Sequence, residues 1–382
     1  MKHAERSAAA EQVRQQRYSI AMATFNGEAY IRELLNSLAR QILPPYELVV
    51  CDDGSSDGTV IILREFQKEA PFPVRIYQNP VRVGFADNFL QAASRCSGYW
   101  VAFCDQDDIW FPEKLLSVNE AIQDSQASDL VLVTHSVLIV SKDFSGKDWS
   151  QSPSHKHPAT NTDRWSAAAL GGMRTLHSHR DRTIGPNSHP GFWVLPGFTC
   201  VFRRDLVTCF DWRTRPRSYD GKDSSQGHDR WICMLANALG SVHHIAEPLV
   251  FYKRHDAAVT GYYERKSLGE RIGLSRHVGA ERYSFMADVA RESAAVLSAL
   301  AQSTADTRWS ANLTRSEALF ERLASNYANR AQIYREKGSR KFGTFLGLVA
   351  NEGYFGNAFY SLGMSSFLKD LVRCVAGHGS IE

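Results

Sequence analysis

The sequence predicts an α/β fold, a doubly wound and mostly parallel sheet, followed by a C-terminal helical extension. Three observations carry that expectation. From Tyr18 onward, short apolar strand-like runs alternate with segments whose apolar residues recur at helical spacing. Two Asp-rich turns, at 52–59 and 105–108, each follow such a run, and open α/β sheets bind ligands at the carboxyl ends of their strands. After Tyr263 the strand signals stop and helical periodicity takes over.

The elements follow in order. Residues 18–25 read as a strand, and Ile31, Leu34, Leu35 and Leu38 then fall on one helix face. Residues 47–51 form a second strand, ending in Asp52-Asp53-Gly54-Ser55-Ser56-Asp57-Gly58-Thr59. Ile61, Leu63 and Phe66 mark a helix, 74–77 a strand and 85–93 another helix. The apolar run Tyr99-Trp100-Val101-Ala102-Phe103-Cys104 leads into Asp105-Gln106-Asp107-Asp108, and a helix begins near Pro112. A long strand is expected over 130–140. Segment 141–189 is polar and without period, and a loop of that length is usually functional or disordered.

Regularity returns at 198–202. Ile232, Leu235, Ala236 and Leu239 then share a helix stopped by Gly240, and a strand pair is expected over 241–253. Val289, Val296, Leu297 and Leu300 mark one late helix, and Leu319, Leu323, Tyr327 and Tyr334 another. The expected division is an N-terminal extension over 1–16, an α/β domain over 17–262 and a helical region over 263–382.

At 382 residues the chain is long enough for a full core. A net charge of +3 argues against a dedicated nucleic-acid binder. Its seven cysteines include Cys51, Cys104 and Cys233 inside apolar patterns, and none forms a CxxC pair, so buried reduced thiols are expected. The opening 17 residues carry no apolar core of a leader, and no stretch reaches the roughly 18 apolar residues of a membrane span. These readings predict a cytoplasmic protein.

Alternate aspartates at a strand end, Asp105 and Asp107, point to one side of the backbone. Two hard oxygen ligands so placed suit Mg²⁺ or Mn²⁺ shared with a substrate's phosphates. Solvation of an acidic turn is the plainer reading. The 52–59 turn is equally open: Asp, Gly and Ser make good turns and caps, yet a strand-end carboxylate before a helix N-terminus also suits nucleotide binding. Its Ser55-Ser56-Asp57-Gly58-Thr59 lacks the nucleophilic first aspartate of a haloacid dehalogenase DxDGT loop.

Taken together, Ser19-Ile20-Ala21-Met22-Ala23-Thr24-Phe25-Asn26-Gly27, Val49-Val50-Cys51-Asp52-Asp53-Gly54-Ser55-Ser56-Asp57-Gly58-Thr59 and Phe103-Cys104-Asp105-Gln106-Asp107-Asp108-Ile109-Trp110 resemble family 2 glycosyltransferases in content, order and spacing. The resemblance runs on through Gly197-Phe198-Thr199-Cys200 and Gly227-His228-Asp229-Arg230-Trp231-Ile232, and its DQDD form is similar to the rhamnosyltransferase-like branch. It implies a GT-A fold and an inverting, metal-dependent transfer from a dTDP- or UDP-linked sugar to a glycan or lipid-linked acceptor in bacterial surface polysaccharide or lipopolysaccharide assembly. A UDP-hexose transferase and a non-catalytic sugar-binding or scaffold protein are the alternatives. A nucleotidyltransferase is less favoured, because its glycine-rich, Arg-containing loop is missing after the first strand.

By the same resemblance, Thr24, Asn26, Asp52, Asp53, Asn88 and Asp105 contact the nucleotide sugar; for Asn88 a helix-surface amide is the alternative. Asp107 and Asp105 bind Mn²⁺ or Mg²⁺ with His255 as a further ligand, and Asp108 caps the next turn. Asp229 is the general base, since inverting displacement needs one opposite the leaving group; a first-turn helix acid is the plainer alternative. His228 orients the acceptor or the loop, and Lys253 and Arg254 screen phosphate charge, with a solvated basic turn at 252–255 as the alternative to these roles and to that of His255. After His255 the family usually has a polar Gly-Asn-Asn turn, whereas this chain has Asp256-Ala257-Ala258. His155, His157, His177, His179 and His189 are expected in a solvated loop that shapes the acceptor side. The aromatic and basic mixture after Gly338 either docks on the catalytic domain or meets the inner face of the plasma membrane.

Overall fold

The computed structural model describes residues 16–141, 163–165, 181–220, 224–254 and 279–375. Strands β1 (Tyr18–Thr24), β2 (Glu47–Asp52), β3 (Val74–Gln78) and β4 (Trp100–Cys104) alternate with helices α1 (Ile31–Ala39), α2 (Thr59–Glu69) and α3 (Phe85–Ser94). Next come β5 (Ile109–Trp110), α4 (Lys114–Asp124), β6 (Leu130–Ser141), β7 (Asp163–Trp165), β8 (Arg182–Ile184), β9 (Val201–Arg203) and the short α5 (Asp205–Thr208). The chain continues with α6 (His228–Leu239) and β10 (Ser241–Arg254), then α7 (Ala280–Ser303), α8 (Thr307–Arg335), α9 (Ser339–Ala350) and α10 (Gly363–Val375).

One sheet runs in the order β3-β2-β1-β4-β9-β6-β10-β5, with β7 on β6 and β8 on β10. Its long ladders, β1 with β2 and β4, β2 with β3, and β6 with β10, are parallel; the antiparallel pairings are two or three residues long. The sheet is therefore mostly parallel, as expected. Alternate residues feed opposite faces: Ile20, Met22, Leu48 and Val50 pack against α1 and α2, whereas Ala21, Val49, Cys51 and Phe103 pack toward α3 and α6. Burial on both faces holds the parallel strands rigid, at about 1.5–3 kcal/mol for each large apolar side chain.

Two details differ from the sequence reading. Residues 241–254 form one strand with register shifts around Pro248, which cannot donate to a ladder, rather than two strands. On α2 the buried positions are Ile62 and Leu63, while Ile61 is exposed. Gly240 does end α6, and steric closeness explains it: a Cβ there would sit 2.1 Å from the Asp129 carbonyl oxygen.

The helical region shares the core of the sheet. Ala290, Leu297, Leu313, Phe320 and Leu323 of α7 and α8 belong to the same buried cluster as Trp231 and Leu235 of α6 and Phe103 of β4. Asp306 starts α8 by accepting from the backbone N–H groups of Arg308 and Trp309 at 2.9 and 3.0 Å. At the far end, Arg330 of α8 pairs with buried Asp370 of α10 at 2.9 Å, and Tyr354 also donates to Asp370 at 2.8 Å. Among the described residues, no helix is long and apolar enough to cross a membrane.

Candidate active site

Thr24 lies opposite Asp52 in the β1–β2 ladder, and Met22 opposite Cys104 in the β1–β4 ladder, so the loops after all three strands leave one sheet edge. The first two loops are zipped together. Asp52 accepts from the Thr24 hydroxyl at 2.9 Å and from the Ser55 N–H and hydroxyl at 2.9 and 2.5 Å. Asp53 accepts from Asn79 at 3.0 Å and from the N–H groups of Val83 and Gly84 at 2.8 and 2.9 Å. Between them and the next residues the chain needs Gly54, whose φ of +82° is relaxed for glycine alone.

Both carboxylates are buried and engaged within the protein. Asn88 is neither a surface amide nor an open donor contact: its side chain is buried, donates to the Cys51 carbonyl at 2.8 Å and accepts from Asn79 at 2.9 Å. Of the expected nucleotide-binding residues in this first half, Asn26 is the exposed one, with φ 47° and its carboxamide oxygen accepting from the Ser56 N–H at 2.9 Å. Sequence reasoning passed over Arg82. Its guanidinium lies 3.7 Å over the Phe25 ring and 3.8 Å from Asp53, placing an exposed cation beside the same loops.

The 105–108 turn is built differently. Gln106 clamps it to the first loop, accepting from the Phe25 N–H at 3.0 Å and donating to the Phe25 carbonyl at 3.1 Å. That spends the one neutral side chain of the motif on structure. Asp105 Oδ1 and both oxygens of Asp108 are buried without a hydrogen-bond partner among the described residues. Burial, then the neighbouring charges of Asp107 and Asp229, push the Asp105 carboxyl well above the usual range. Burial, then Asp105 and Asp107, do the same to Asp108. The capping role expected for Asp108 fails: no side chain caps α4, whose N-cap is Glu113.

A second residue missed by sequence is Lys114, wholly buried with its ammonium 3.5 Å over the Trp110 ring and donating to the Phe198 carbonyl at 2.9 Å. Burial lowers its pKa to about 7, against the opposing pull of Cys104 and Asp108. A basic residue at the first position of a helix gives no sequence signal of burial.

Asp229 stands in the first turn of α6, half-buried, with Oδ1 accepting from the Arg230 N–H at 2.7 Å. Its charge acts on Asp105, so the acids of the strand end and of the helix start converge. His228, expected to orient the acceptor or the loop, is turned into the core. Its ring is buried among Phe85, Phe89 and Phe103, stacked on Phe89 at 4.2 Å, and burial lowers its pKa to about 4. Gly197 makes room for it, since a Cβ there would lie 2.4 Å from Nε2.

Other expectations are corrected by packing. Lys253 is buried and paired with Glu33, not free to screen phosphate. His189 is buried rather than solvated, stacked 3.8 Å from Trp193, and burial lowers its pKa to about 4. His255, His155, His157, His177, His179 and the Arg254 side chain lie outside the described residues, as does most of 141–189. Among the described residues, no three His, Cys, Asp or Glu converge as a complete metal-ligand set. The orphaned carboxylate oxygens nevertheless fit a Mg²⁺-like ion, which takes one or two carboxylates and completes its shell with substrate phosphates and water.

Residues 19–207 match the model for Glycosyl transferase family 2. The chain is 34% identical over 123 residues to an uncharacterized glycosyltransferase of Nostoc, covering 32% of this chain and 37% of that one. It is 36% identical over 97 residues, 25% of this chain and 37% of the relative, to the UDP-Glc:alpha-D-GlcNAc-diphosphoundecaprenol beta-1,3-glucosyltransferase of Escherichia coli. These matches thus span little more than a third of the relatives' length. A crystal structure of Staphylococcus aureus TarS 1-349 superposes with a TM-score of 0.46 at 17% identity, covering 89% of this chain and 93% of that one.

Proposed function

We propose that the family 2 domain at 19–207 makes this chain a glycosyltransferase, moving a sugar from a nucleotide diphosphate donor onto a hydroxyl of a bacterial surface glycan or its lipid-linked precursor. The observation that carries this reading is the strand-end turn: Asp105 Oδ1 is buried with no hydrogen-bond partner among the described residues, and the charges of Asp107 and Asp229 act on that carboxyl. A carboxylate oxygen left buried and unmatched beside like charges is costly on its own, which points to a cation and a proton transfer.

In this reading Asp105 and Asp107 hold Mn²⁺ or Mg²⁺ against the donor diphosphate. The ion supplies neutralisation of the charge that develops on the leaving phosphate oxygen. Asp229 accepts the proton of the acceptor hydroxyl as that oxygen bonds to the sugar's anomeric carbon. The bond from that carbon to the diphosphate oxygen breaks, and its electron pair leaves with the nucleotide diphosphate. Attack opposite the leaving group makes a single displacement inverting. Asn26 and Arg82 line the nucleotide side, while Asp52, Asp53 and Asn88 shape it from beneath.

A UDP-linked hexose is the donor favoured by the Escherichia coli relative's name; rhamnose from a dTDP donor rests on the DQDD resemblance. Nucleotide sugars are to be screened for thermal stabilisation with Mn²⁺ present, followed by turnover of the best donor. Asp229→Asn should bind that donor as wild type does and lose about 10³-fold in kcat. Full turnover by Asp229→Asn would remove it as the base. No turnover by wild type with any donor and lipid-linked acceptor would favour a sugar-binding scaffold.

A further inference from the structure

The last two helices divide their apolar residues between two faces. Phe345 and Leu348 of α9, with Tyr354, are buried against Ile333 of α8, and Phe367 and Leu371 of α10 pack on that cluster. Lys341 donates to the Arg373 carbonyl at 2.8 Å while Phe345 meets Phe367 at 5.4 Å, so α9 and α10 lie side by side and antiparallel. Docking therefore accounts for Phe345, Tyr354 and Phe367, and Phe359 and Tyr360 pack on the core shared with the sheet.

Two aromatic and several aliphatic side chains point outward instead. Phe342, Leu346 and Val349 are exposed on α9 at helical spacing, and Met364, Leu368, Val372 and Val375 are exposed on α10 in the same way. Phe355, also exposed, packs its ring 5.1 Å from Phe367 and borders the two stripes. Monomeric proteins seldom expose so many large apolar side chains in one place. Lys337, Arg340 and Lys369 are exposed around them. Over 337–375 the acids are Glu352 and Asp370, and Asp370 is consumed by Arg330.

We propose that the outer face of α9 and α10 docks on an anionic lipid surface. Apolar side chains enter the acyl boundary while the flanking cations remain at the headgroups, the arrangement of an interfacial helix. Charge decides between this occupant and a second copy of the chain. Self-association through the same face would bring its cations together, whereas an anionic surface complements them. The Arg330–Asp370 pair fixes α10 to α8, so the face is held in place before it meets lipid.

The test is flotation of the full-length chain with vesicles of phosphatidylcholine alone or mixed with phosphatidylglycerol. Wild type should float with the anionic vesicles and not with the neutral ones. Leu368→Glu/Val372→Glu should bind at least tenfold more weakly at an unchanged melting temperature. Lys337→Gln and Arg340→Gln, at exposed positions, should each weaken binding about fivefold. Failure of wild type to float, or equal flotation of all variants, would overturn the assignment. So would a dimer in light scattering that Leu368→Glu/Val372→Glu dissociates without any vesicle binding. Flotation is read without donor or acceptor, so its outcome is independent of whether the chain transfers sugar.

Discussion

The turns at 52–59 and 105–108 look alike in sequence and are opposites in structure. Both are acidic, both leave the carboxyl ends of neighbouring parallel strands, and both contain adjacent aspartates. In the first, every buried carboxylate is met by hydroxyl, amide or backbone donors. In the second, Asp105 Oδ1 and both Asp108 oxygens are buried with no donor among the described residues. A saturated carboxylate shapes a loop, whereas an unsaturated cluster waits for positive charge to offset its desolvation.

That contrast makes opposite predictions for similar mutations. Asp53→Ala should be the more damaging to stability, by about 3 kcal/mol or more, because Asn79 and the N–H groups of Val83 and Gly84 lose their acceptor. Asp105→Asn should melt no lower than wild type in a chelator, since it removes a charge that burial and neighbouring acids disfavour. Calorimetry of both variants decides the matter. Equal destabilisation would erase the distinction between the turns.

Added Mn²⁺ should raise the wild-type melting temperature, by the equivalent of about 2.7 kcal/mol at a hundredfold excess over its Kd. Asp53→Ala, if folded, should keep that response and Asp105→Asn should lose most of it. A shift of equal size in Asp105→Asn would place the ion elsewhere. The smallest effect belongs to the residue joining the turns. Gln106→Ala removes two hydrogen bonds to the Phe25 backbone and should cost about 1–2 kcal/mol in urea unfolding. An unchanged midpoint would mean that the clamp does not hold the loops together.

Much of this architecture was legible from local pattern. Strand and helix periodicity placed β1–β4, α1–α3, β6 and α6 within a few residues, and the strand-end rule placed both acidic turns at one edge. What pattern could not supply is which partners reach a given side chain across the fold. Asp53 meets Val83 and Gly84 some thirty residues away, and Lys253 meets Glu33 across most of the domain. The same limit explains His228 and His189, whose polar type suggested open surroundings. Aromatic stacking and burial outweigh that expectation once α6 packs on α3 and His189 on Trp193. Lys114 was passed over and Asp108 misjudged for the same reason, because the burial of a charge depends on contacts that no local window contains.

The buried cluster shared by α6, α7, α8 and the sheet has a consequence for inheritance. A gene rearrangement joining the first 262 residues to a foreign partner would leave Trp231, Leu235 and their neighbours without Leu313, Phe320 and Leu323. The recombinant would carry the three acids but not the wall behind them. A segment exchange at that boundary must therefore carry α7 and α8 along with the sheet, or supply apolar side chains that fill the same space.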